Sequence, residues 1–210
     1  MDRSPELMFT DEVASRRKPD YDILPLFLNR WSPRSMSGEP LSEDELLPLF
    51  EAARWAPSSY NAQLWRFIVA RRQDPTTFSA FLNLLAAGNA EWAKDASALV
   101  VVASGQRFES NGRPSITHVF DAGAAWENLA LEAARRGLVA HGMQGFDYVR
   151  AARGLGVPAD YDVLAMIAIG KRGQPERLPD RQRGAEHPND RRPLKDILFE
   201  GAFGRPIVQR

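Results

Sequence analysis

The amino-acid sequence predicts a mixed α and β protein in which helices and strands alternate around a central sheet. Residues 65–70 (Trp-Arg-Phe-Ile-Val-Ala) are rich in aromatic and β-branched side chains, which favour a strand. Residues 98–103 and 163–169 are wholly apolar runs of strand length, a pattern typical of buried strands. Helical periodicity separates these runs, and such alternation by itself favours a parallel, doubly wound sheet.

The composition is that of one globular domain. Of the 210 residues, 44% are hydrophobic, which is enough to fill one well-packed core. Residues 1–20 are polar and mixed in charge, so we expect a flexible N-terminal extension followed by a single domain over residues 21–210. Basic and acidic residues balance at 27 each, and this excludes a global field that attracts nucleic acid or an anionic membrane.

The sequence contains no cysteine, which excludes disulfides, thiolate catalysis and cysteine-ligated metals. Its three histidines, His118, His141 and His187, lie far apart without metal-ligand spacing, so we predict no metal site. No uncharged apolar run approaches the roughly 20 residues of a membrane span, and the N-terminus lacks a signal-peptide core. We therefore expect a cytoplasmic protein whose redox chemistry would need a borrowed cofactor.

The first predicted elements are a short apolar segment at residues 23–28 and a capped helix. Ser42 and Glu45 form a capping-box pattern at the start of this helix, apolar residues follow at helical spacing, and Pro57 ends it. An amphipathic helix is expected after the first strand, over residues 74–87.

The second half begins with the run at residues 98–103, which predicts a central strand. The longest helical stretch covers residues 117–136, and its many small side chains permit close helix packing. A strand at 138–140, a helix at 146–155 and the strand at 163–169 complete the predicted elements.

From Lys171 onward the chain changes character. Residues 171–192 hold seven basic and four acidic residues, and a short helix is predicted at 193–199. Such a tail cannot build its own core, so it is either disordered or laid over another surface. Apolar residues near the C-terminus favour the second alternative, and another subunit would offer that surface.

Two polar runs flank the capped helix. The first, residues 30–34, combines Arg30, Ser32 and Arg34, and two fixed charges with a hydroxyl suit a phosphate. The alternative is a solvated arginine pair on a surface turn. The second run, residues 56–65, carries more hydroxyl and amide groups than a connecting loop needs, although an ordinary turn after the helix is the alternative.

The order of these signals resembles the nitroreductase family of FMN-dependent oxidoreductases, from about residue 24 to about residue 198. The resemblance is carried by six pieces in sequence order: 30–34, 53–65, 121–129 leading to Gly137-Leu138, 142–146, Ile169-Gly170 and 191–194. It implies an α+β sandwich with a central, mainly antiparallel sheet covered by helices, which replaces the parallel sheet. It also implies a homodimer in which the C-terminal segment, residues 171–210, is exchanged between subunits.

The resemblance further implies an FMN site. Arg30 and Ser32 would meet the phosphate or ribityl end, and Arg34 the phosphate or the pyrimidine edge of the ring. The backbone at Gln144 and Gly145 would pass the reactive N5 side of the ring, although this stretch is also compatible with an ordinary strand-to-helix turn. The full set of implied cofactor-binding residues is Arg30, Trp31, Ser32, Arg34, Pro57, Ser58, Ser59, Asn61, Gln63, Met143, Gln144, Gly145, Arg191 and Arg192.

Residues 57–63 match the loop that, in this family, reaches the FMN of the other subunit. Leu64 stands where the family commonly has proline, which puts the contacts of Asn61 and Gln63 in question. Arg191, and after it Arg192, matches the basic position that completes the phosphate site, and which of the two contacts the phosphate is left open. Without the resemblance, two arginines in a polar tail would be read as ordinary solvated charge.

The function implied is the transfer of electrons from NADH or NADPH through FMN to a small electron-poor acceptor, such as a nitroaromatic or a quinone, by ping-pong kinetics. No side chain is needed as acid or base, and we predict no catalytic residue. The alternatives are a flavin-binding or regulatory protein with little turnover, or another flavin reaction on this fold, such as dehalogenation or heterocycle dehydrogenation. In this family acceptor choice depends on mobile segments over the flavin, and residues 87–92 and 106–115 are the candidates here, although both are equally compatible with ordinary surface loops.

Overall fold

The computed structural model describes residues 8–207. The chain divides into two compact units: residues 32–186 form one, which we call the sheet unit, and the described residues up to 31 together with those from 187 onward form the other, the terminal unit. Residues 21–31 therefore group with the preceding segment. The boundary between the units lies after residue 31, whereas the sequence predicts a division after residue 20. The single domain over residues 21–210 stays a prediction.

The sheet unit contains four antiparallel strands. They are β1 (Trp65–Arg71), β2 (Ala98–Gly105), β3 (Leu138–Met143) and β4 (Tyr161–Lys171), arranged in the order β1-β2-β4-β3. Every pairing in the sheet is antiparallel. The antiparallel sheet implied by the family resemblance is confirmed, and the parallel sheet favoured by alternation alone is wrong.

Strands β2 and β4 occupy the centre of the sheet, as their apolar runs predict. All eight residues of β2 are buried. Successive side chains of β2 point to opposite faces of the sheet. Leu99 and Val101 pack into the apolar cluster on one face, and Val100 and Val102 pack into the cluster on the other. The continuous apolar run therefore reflects a sheet that is covered on both faces.

Two long helices cover one face of the sheet. Helix α3 (Glu43–Arg54) begins at the predicted capping box, in which the Glu45 N–H donates to Ser42 Oγ at 3.2 Å and the Ser42 N–H donates to Glu45 Oε2 at 2.8 Å. Helix α6 (His118–Arg135) packs beside it, and buried alanines and Leu129 face the core. The predicted helix and its cap are confirmed.

The other face is covered by shorter helices: α4 (Pro75–Leu82), α5 (Ala87–Ala93) and α7 (Tyr148–Gly154). The single helix predicted over residues 74–87 is wrong, because the backbone leaves the helix after α4. Leu85 forms a β-bridge with Phe146, and the Ala86 N–H donates to Gly145 O at 2.9 Å. The same bridge delays the next helix until the Asp147 N-cap, two residues later than predicted.

The terminal unit contains α1 (Asp11–Ala14) and α2 (Pro25–Asn29). The helix predicted at 193–199 is only a 3₁₀ turn, Leu194–Asp196, and the Leu194 N–H donates to Asp20 Oδ2 at 3.3 Å. Within this unit the N-terminal segment and the tail therefore contact each other. Exchange of the tail across a dimer stays a prediction. The sheet unit also contains a last short helix, α8 (Asp180–Arg183).

Candidate active site

The first polar run leads into a backbone segment that extends the sheet. The Ser37 N–H donates to Lys171 O, and the Gly173 N–H donates to Ser35 O, both at 3.0 Å. Met36 lies between them and is buried. A Cβ on Gly173 would lie 2.4 Å from the Met36 carbonyl carbon, so only glycine permits this approach. The position of the segment that follows Arg34 is thereby fixed against β4.

A buried carboxylate fixes Arg34 itself. Glu186 accepts hydrogen bonds from the backbone N–H of Arg34 at 2.9 Å, from the N–H of Ser35 at 2.9 Å and from Ser35 Oγ at 2.7 Å. Arg172 lies 3.2 Å from the same carboxylate. Such charge-assisted bonds are stronger than neutral ones, so the backbone at Arg34 is held firmly while its side chain is left to reach outward.

His141, on β3, holds the preceding residue. Its Nδ1 lies 2.9 Å from Pro33 O, and because a carbonyl only accepts, Nδ1 carries the proton. The ring packs against Trp92 with 4.6 Å between centroids. Burial, opposed by the Pro33 contact, lowers the pKa of His141 below its ordinary value of 6.5. The imidazole is therefore a neutral donor at physiological pH.

The turn that follows β3 contains Gly145 and lies against helix α5. Gly145 O accepts from the Ala86 N–H at 2.9 Å and from Asn89 Nδ2 at 3.1 Å. A Cβ on Gly145 would lie 2.8 Å from Asn89 Nδ2, so the side chain of Asn89 occupies the space that a larger residue would need. Within residues 8–207, the N–H of Gly145 makes no hydrogen bond.

Arg34, the start of α5 and the segment around α8 border a cleft of about 330 Å³ in the sheet unit. The Arg34 side chain is half-buried there, and no carboxylate of the described residues pairs with its guanidinium. The lining residues are Arg34, Ala86, Gly88, Asn89, Trp92, Arg181, Gln182 and Ala185. A cleft with an unpaired cation and amide groups suits a ligand that is anionic or rich in hydrogen-bond acceptors.

Sequence reasoning did not single out Asn89 and Gln182. Asn89 lies in the stretch 87–92, which was predicted only as a segment over the flavin, and an amide three residues into a helix gives no distinct sequence signal. Gln182 donates through Nε2 to Gly88 O at 2.9 Å, which ties the chain after β4 to the start of α5. Both contacts join residues that are more than 50 positions apart.

The second polar run forms a strained loop on the sheet unit. Tyr60, Asn61 and Gln63 have φ values of 53°, 54° and 50°, in the left-handed region that non-glycine residues rarely adopt. The Ser59 N–H donates to Asp121 Oδ2 at 3.0 Å, and the Gln63 N–H donates to Ser58 Oγ at 3.1 Å. Such strain persists only where surrounding contacts impose it, and it concentrates at functional sites.

This loop is separate from the cleft, since none of the residues that line the cleft comes from positions 57–63. Pro57, Ser58, Ser59, Asn61 and Gln63 are therefore not brought together with Arg34 within one sheet unit. Leu64, which departs from the family pattern, is buried, and its carbonyl accepts from the Gly105 N–H at 3.0 Å. It anchors the end of the loop to β2.

The remaining predicted cations lie in the terminal unit. Arg191 and Arg192 line a cavity of about 580 Å³, together with Arg17 and Lys18. Arg30 and Trp31 belong to the same unit, whereas Ser32 begins the sheet unit. Arg17 Nη1 donates to Arg30 O at 2.8 Å, which places Arg30 beside this cationic group.

The described residues include no group of three or more acidic, histidine or cysteine side chains that would hold a metal. Among the helices found in residues 8–207, none has the length and apolar character needed to cross a membrane.

An antiparallel sheet covered on both faces by helices defines an α+β protein, and its sheet unit holds a cleft lined by Arg34. Comparison with known proteins supplies the family. The chain matches the nitroreductase family over residues 28–171 and belongs to that family.

The relatives extend this match along most of the chain. A crystal structure described as an oxidoreductase containing FMN is 43% identical, covers 90% of this chain and 96% of its own, and has a TM-score of 0.85. A protein named NADH dehydrogenase from Thermus thermophilus is 31% identical over 77% of this chain and 94% of its own length. An uncharacterized 15.4 kDa protein from Mycolicibacterium smegmatis is 36% identical over 68% of this chain and 99% of its own.

Proposed function

We propose that this protein is an FMN-dependent oxidoreductase. NADH or NADPH would supply the electrons, and a small electron-poor acceptor such as a nitroaromatic or a quinone would take them in a second half-reaction. Bound FMN supplies the two-electron redox chemistry, which no side chain of this cysteine-free chain provides. The name of the relative from Thermus thermophilus, NADH dehydrogenase, supports the donor NADH, and the description of the FMN-containing structure supports the cofactor.

The observation that carries the proposal is the Arg34 guanidinium in a cleft whose wall includes Asn89, the residue that also bonds the backbone of Gly145. The Arg34 guanidinium has no carboxylate partner and the Gly145 N–H has no acceptor within the described residues. His141 and Glu186 bond the backbone on both sides of Arg34, so contacts within the protein hold this part of the site in position. Preorganised donors of this kind suit the carbonyl and ring-nitrogen acceptors of a flavin.

The remaining residues fit the other parts of FMN. Arg30, with Arg191 or Arg192, would bind the phosphate, because guanidinium groups form charge-assisted bonds with a dianion. Ser32 and Trp31 would lie along the ribityl chain, and Met143 and Gln144 would bring the Gly145 N–H to the ring. These assignments follow from the family pattern and from the chemistry of the side chains.

We further propose that the protein works as a homodimer. The loop with Pro57, Ser58, Ser59, Asn61 and Gln63 would reach the flavin of the other subunit. Exposed apolar side chains near this loop support an interface, since Trp55 is 71% exposed and Tyr60 92%. On the first turn of α6 and just before it, Phe120 is 80% and Ile116 94% exposed. Exposed apolar side chains mark an interface where they adjoin one another.

The test is an absorbance titration of the purified protein. FMN added to the apoprotein should bind and shift its visible bands, and NADH or NADPH added without oxygen should bleach them until an acceptor restores them. The matched variant Arg34→Met should bind FMN more weakly. A protein that takes up no FMN would contradict the cofactor, whereas a yellow protein that neither pyridine nucleotide bleaches would favour a flavin-binding role with little turnover.

A further inference from the structure

Arg17 joins the two arginine-bearing segments of the terminal unit. Its Nε donates to Asn189 O at 2.9 Å, and its Nη1 donates to the backbone carbonyls of Leu28 and Arg30, the latter at 2.8 Å. One guanidinium thus bonds the residue before Asp190-Arg191 and also Arg30 itself. The side chain is only 9% exposed, although it comes from the polar N-terminal segment.

Arg17 lies among other positive charges in a largely buried position. Burial, together with the positive charges of Arg191 and Arg30, lowers the pKa of Arg17 to about 10, and Asp190 opposes this only in part. Arg17 therefore stays charged at neutral pH, and three guanidinium groups share one region. An apolar side chain here would avoid the cost of burying a charge, so what distinguishes arginine at this position is its three bonds to backbone carbonyls and the charge itself.

We propose that Arg17 is a positioning residue for the phosphate of the flavin. By bonding the backbone of Arg30 and of Asn189, it sets the spacing between the two cations, Arg30 and Arg191, that would bind that phosphate. Its own charge adds to their attraction for a dianion. Arg17 lines the same cavity as Arg191, and its Nη2 group makes no hydrogen bond within the described residues. This inference rests on the proposed function.

The planar fork of arginine explains why this residue type is required. Nε and Nη1 point in fixed, different directions, so one side chain satisfies carbonyls from two segments at once. Lysine at this position would keep the charge but present a single flexible ammonium group. Replacement by lysine therefore separates the contribution of charge from that of geometry.

The experiment compares FMN with riboflavin, which lacks the phosphate, on the full-length apoprotein. Dissociation constants for both flavins are measured by fluorescence titration for the wild type, Arg17→Met, Arg17→Lys and the control Arg16→Met, whose side chain is exposed. Arg17→Met should weaken FMN binding by about tenfold or more while riboflavin binding changes by less than about twofold. Arg17→Lys should show a smaller loss, confined to FMN, and Arg16→Met should leave both constants unchanged.

Two results would overturn the inference: an equal loss of affinity for both flavins, which indicates a general structural role, or an unchanged preference for FMN in both Arg17 variants. Should Arg17→Met fail to fold, Arg17→Lys decides between these outcomes. A wild-type protein that binds neither flavin would instead refute the proposed function itself. The two failures are therefore distinguishable in one set of titrations.

Discussion

The carboxylate of Glu186 accepts two hydrogen bonds from Ser35, one from its Oγ at 2.7 Å and one from its N–H at 2.9 Å. A third bond comes from the N–H of Arg34, so an acid near the end of the sheet unit fixes the backbone of the first polar run. The guanidinium of Arg34 can then occupy the cleft without holding its own backbone in place. Glu186 therefore contributes to the stability of the backbone at the cleft, whereas the Arg34 side chain contributes its charge to the cleft itself.

Glu186→Gln should therefore destabilise the fold and weaken flavin binding together. The amide has one oxygen in place of two, so at least one of the donors that face the carboxylate loses its acceptor, at a cost of about 1–3 kcal/mol. Urea denaturation of the apoprotein measures the first effect and FMN titration the second. Glu176→Gln, at an exposed position, is the control and should change neither.

The stability of the apoprotein should fall as the pH is lowered from 6.5, partly because of His141. Its pKa is depressed in the folded state, chiefly by burial, so the unfolded chain takes up a proton first. The contribution of the neutral ring is thus fully present above pH 6.5 and is lost as the pH falls through the lower folded pKa. Denaturation at a series of pH values should show a shallower slope for His141→Asn. If stability depends equally on pH in the wild type and in His141→Asn, the pKa of His141 is not depressed in the folded protein.

Gly145→Ala should be destabilising because its Cβ would lie 2.8 Å from Asn89 Nδ2. The amide would have to move, which breaks its bond to Gly145 O and costs about 1–3 kcal/mol. The matched change is Gly154→Ala in α7, where nothing lies within 4 Å of the added methyl group. That variant should be neutral or stabilising by up to about 1 kcal/mol. Thermal unfolding should show a lower melting temperature for Gly145→Ala and an equal or higher one for Gly154→Ala.

The local features of this fold were predictable from sequence. Ser42 and Glu45 are three residues apart, so their capping box depends only on neighbouring backbone. The burial of β2 likewise follows from its own apolar run. Strand direction does not, because it depends on pairing between segments far apart, and the alternation of elements favours the wrong, parallel arrangement. Only the family resemblance corrected it.

The residue types of the candidate site were predictable from sequence, but the contacts that hold its backbone in place were not. Arg34 and Gly145 carry signals in their own sequence runs. Their supporting contacts do not, since His141 lies 108 residues from Pro33 and Glu186 lies 151 residues from Ser35. A lone histidine on a strand and a glutamate in a charged tail are common, and only the folded chain shows which backbone groups they bind.

Arg30→Ala should weaken FMN binding while leaving the fold and the dimer intact. The change removes a charge-assisted phosphate contact, worth about 1.5–3 kcal/mol. Riboflavin binding should be unaffected because it lacks the phosphate. Fluorescence titration measures both flavins, and size-exclusion chromatography with light scattering reports the mass of the assembly. An FMN affinity equal to that of the wild type would remove Arg30 from the phosphate site.

Tyr60→Gly should raise stability and lower turnover. Tyr60 has a φ of 53°, so glycine relieves a conformation that costs roughly 1 kcal/mol for other residues. Within one chain the side chain is 92% exposed and gives up only its edge contact with the Phe108 ring. The strain persists because Asp121 holds the Ser59 N–H and Ser58 Oγ holds the Gln63 N–H, which force the chain between them into the left-handed region.

The matched control for this loop is Ala62→Gly. Ala62 has an ordinary φ of −73°, so glycine there adds only freedom to the unfolded chain and should destabilise by about 0.5–1 kcal/mol. If urea denaturation shows a higher free energy of unfolding for Tyr60→Gly and a lower one for Ala62→Gly, the folded loop is strained at Tyr60. A lower rate of NAD(P)H oxidation by the more stable Tyr60→Gly variant would then connect that strain to function, because a loop that served only as a connection would gain stability without losing activity.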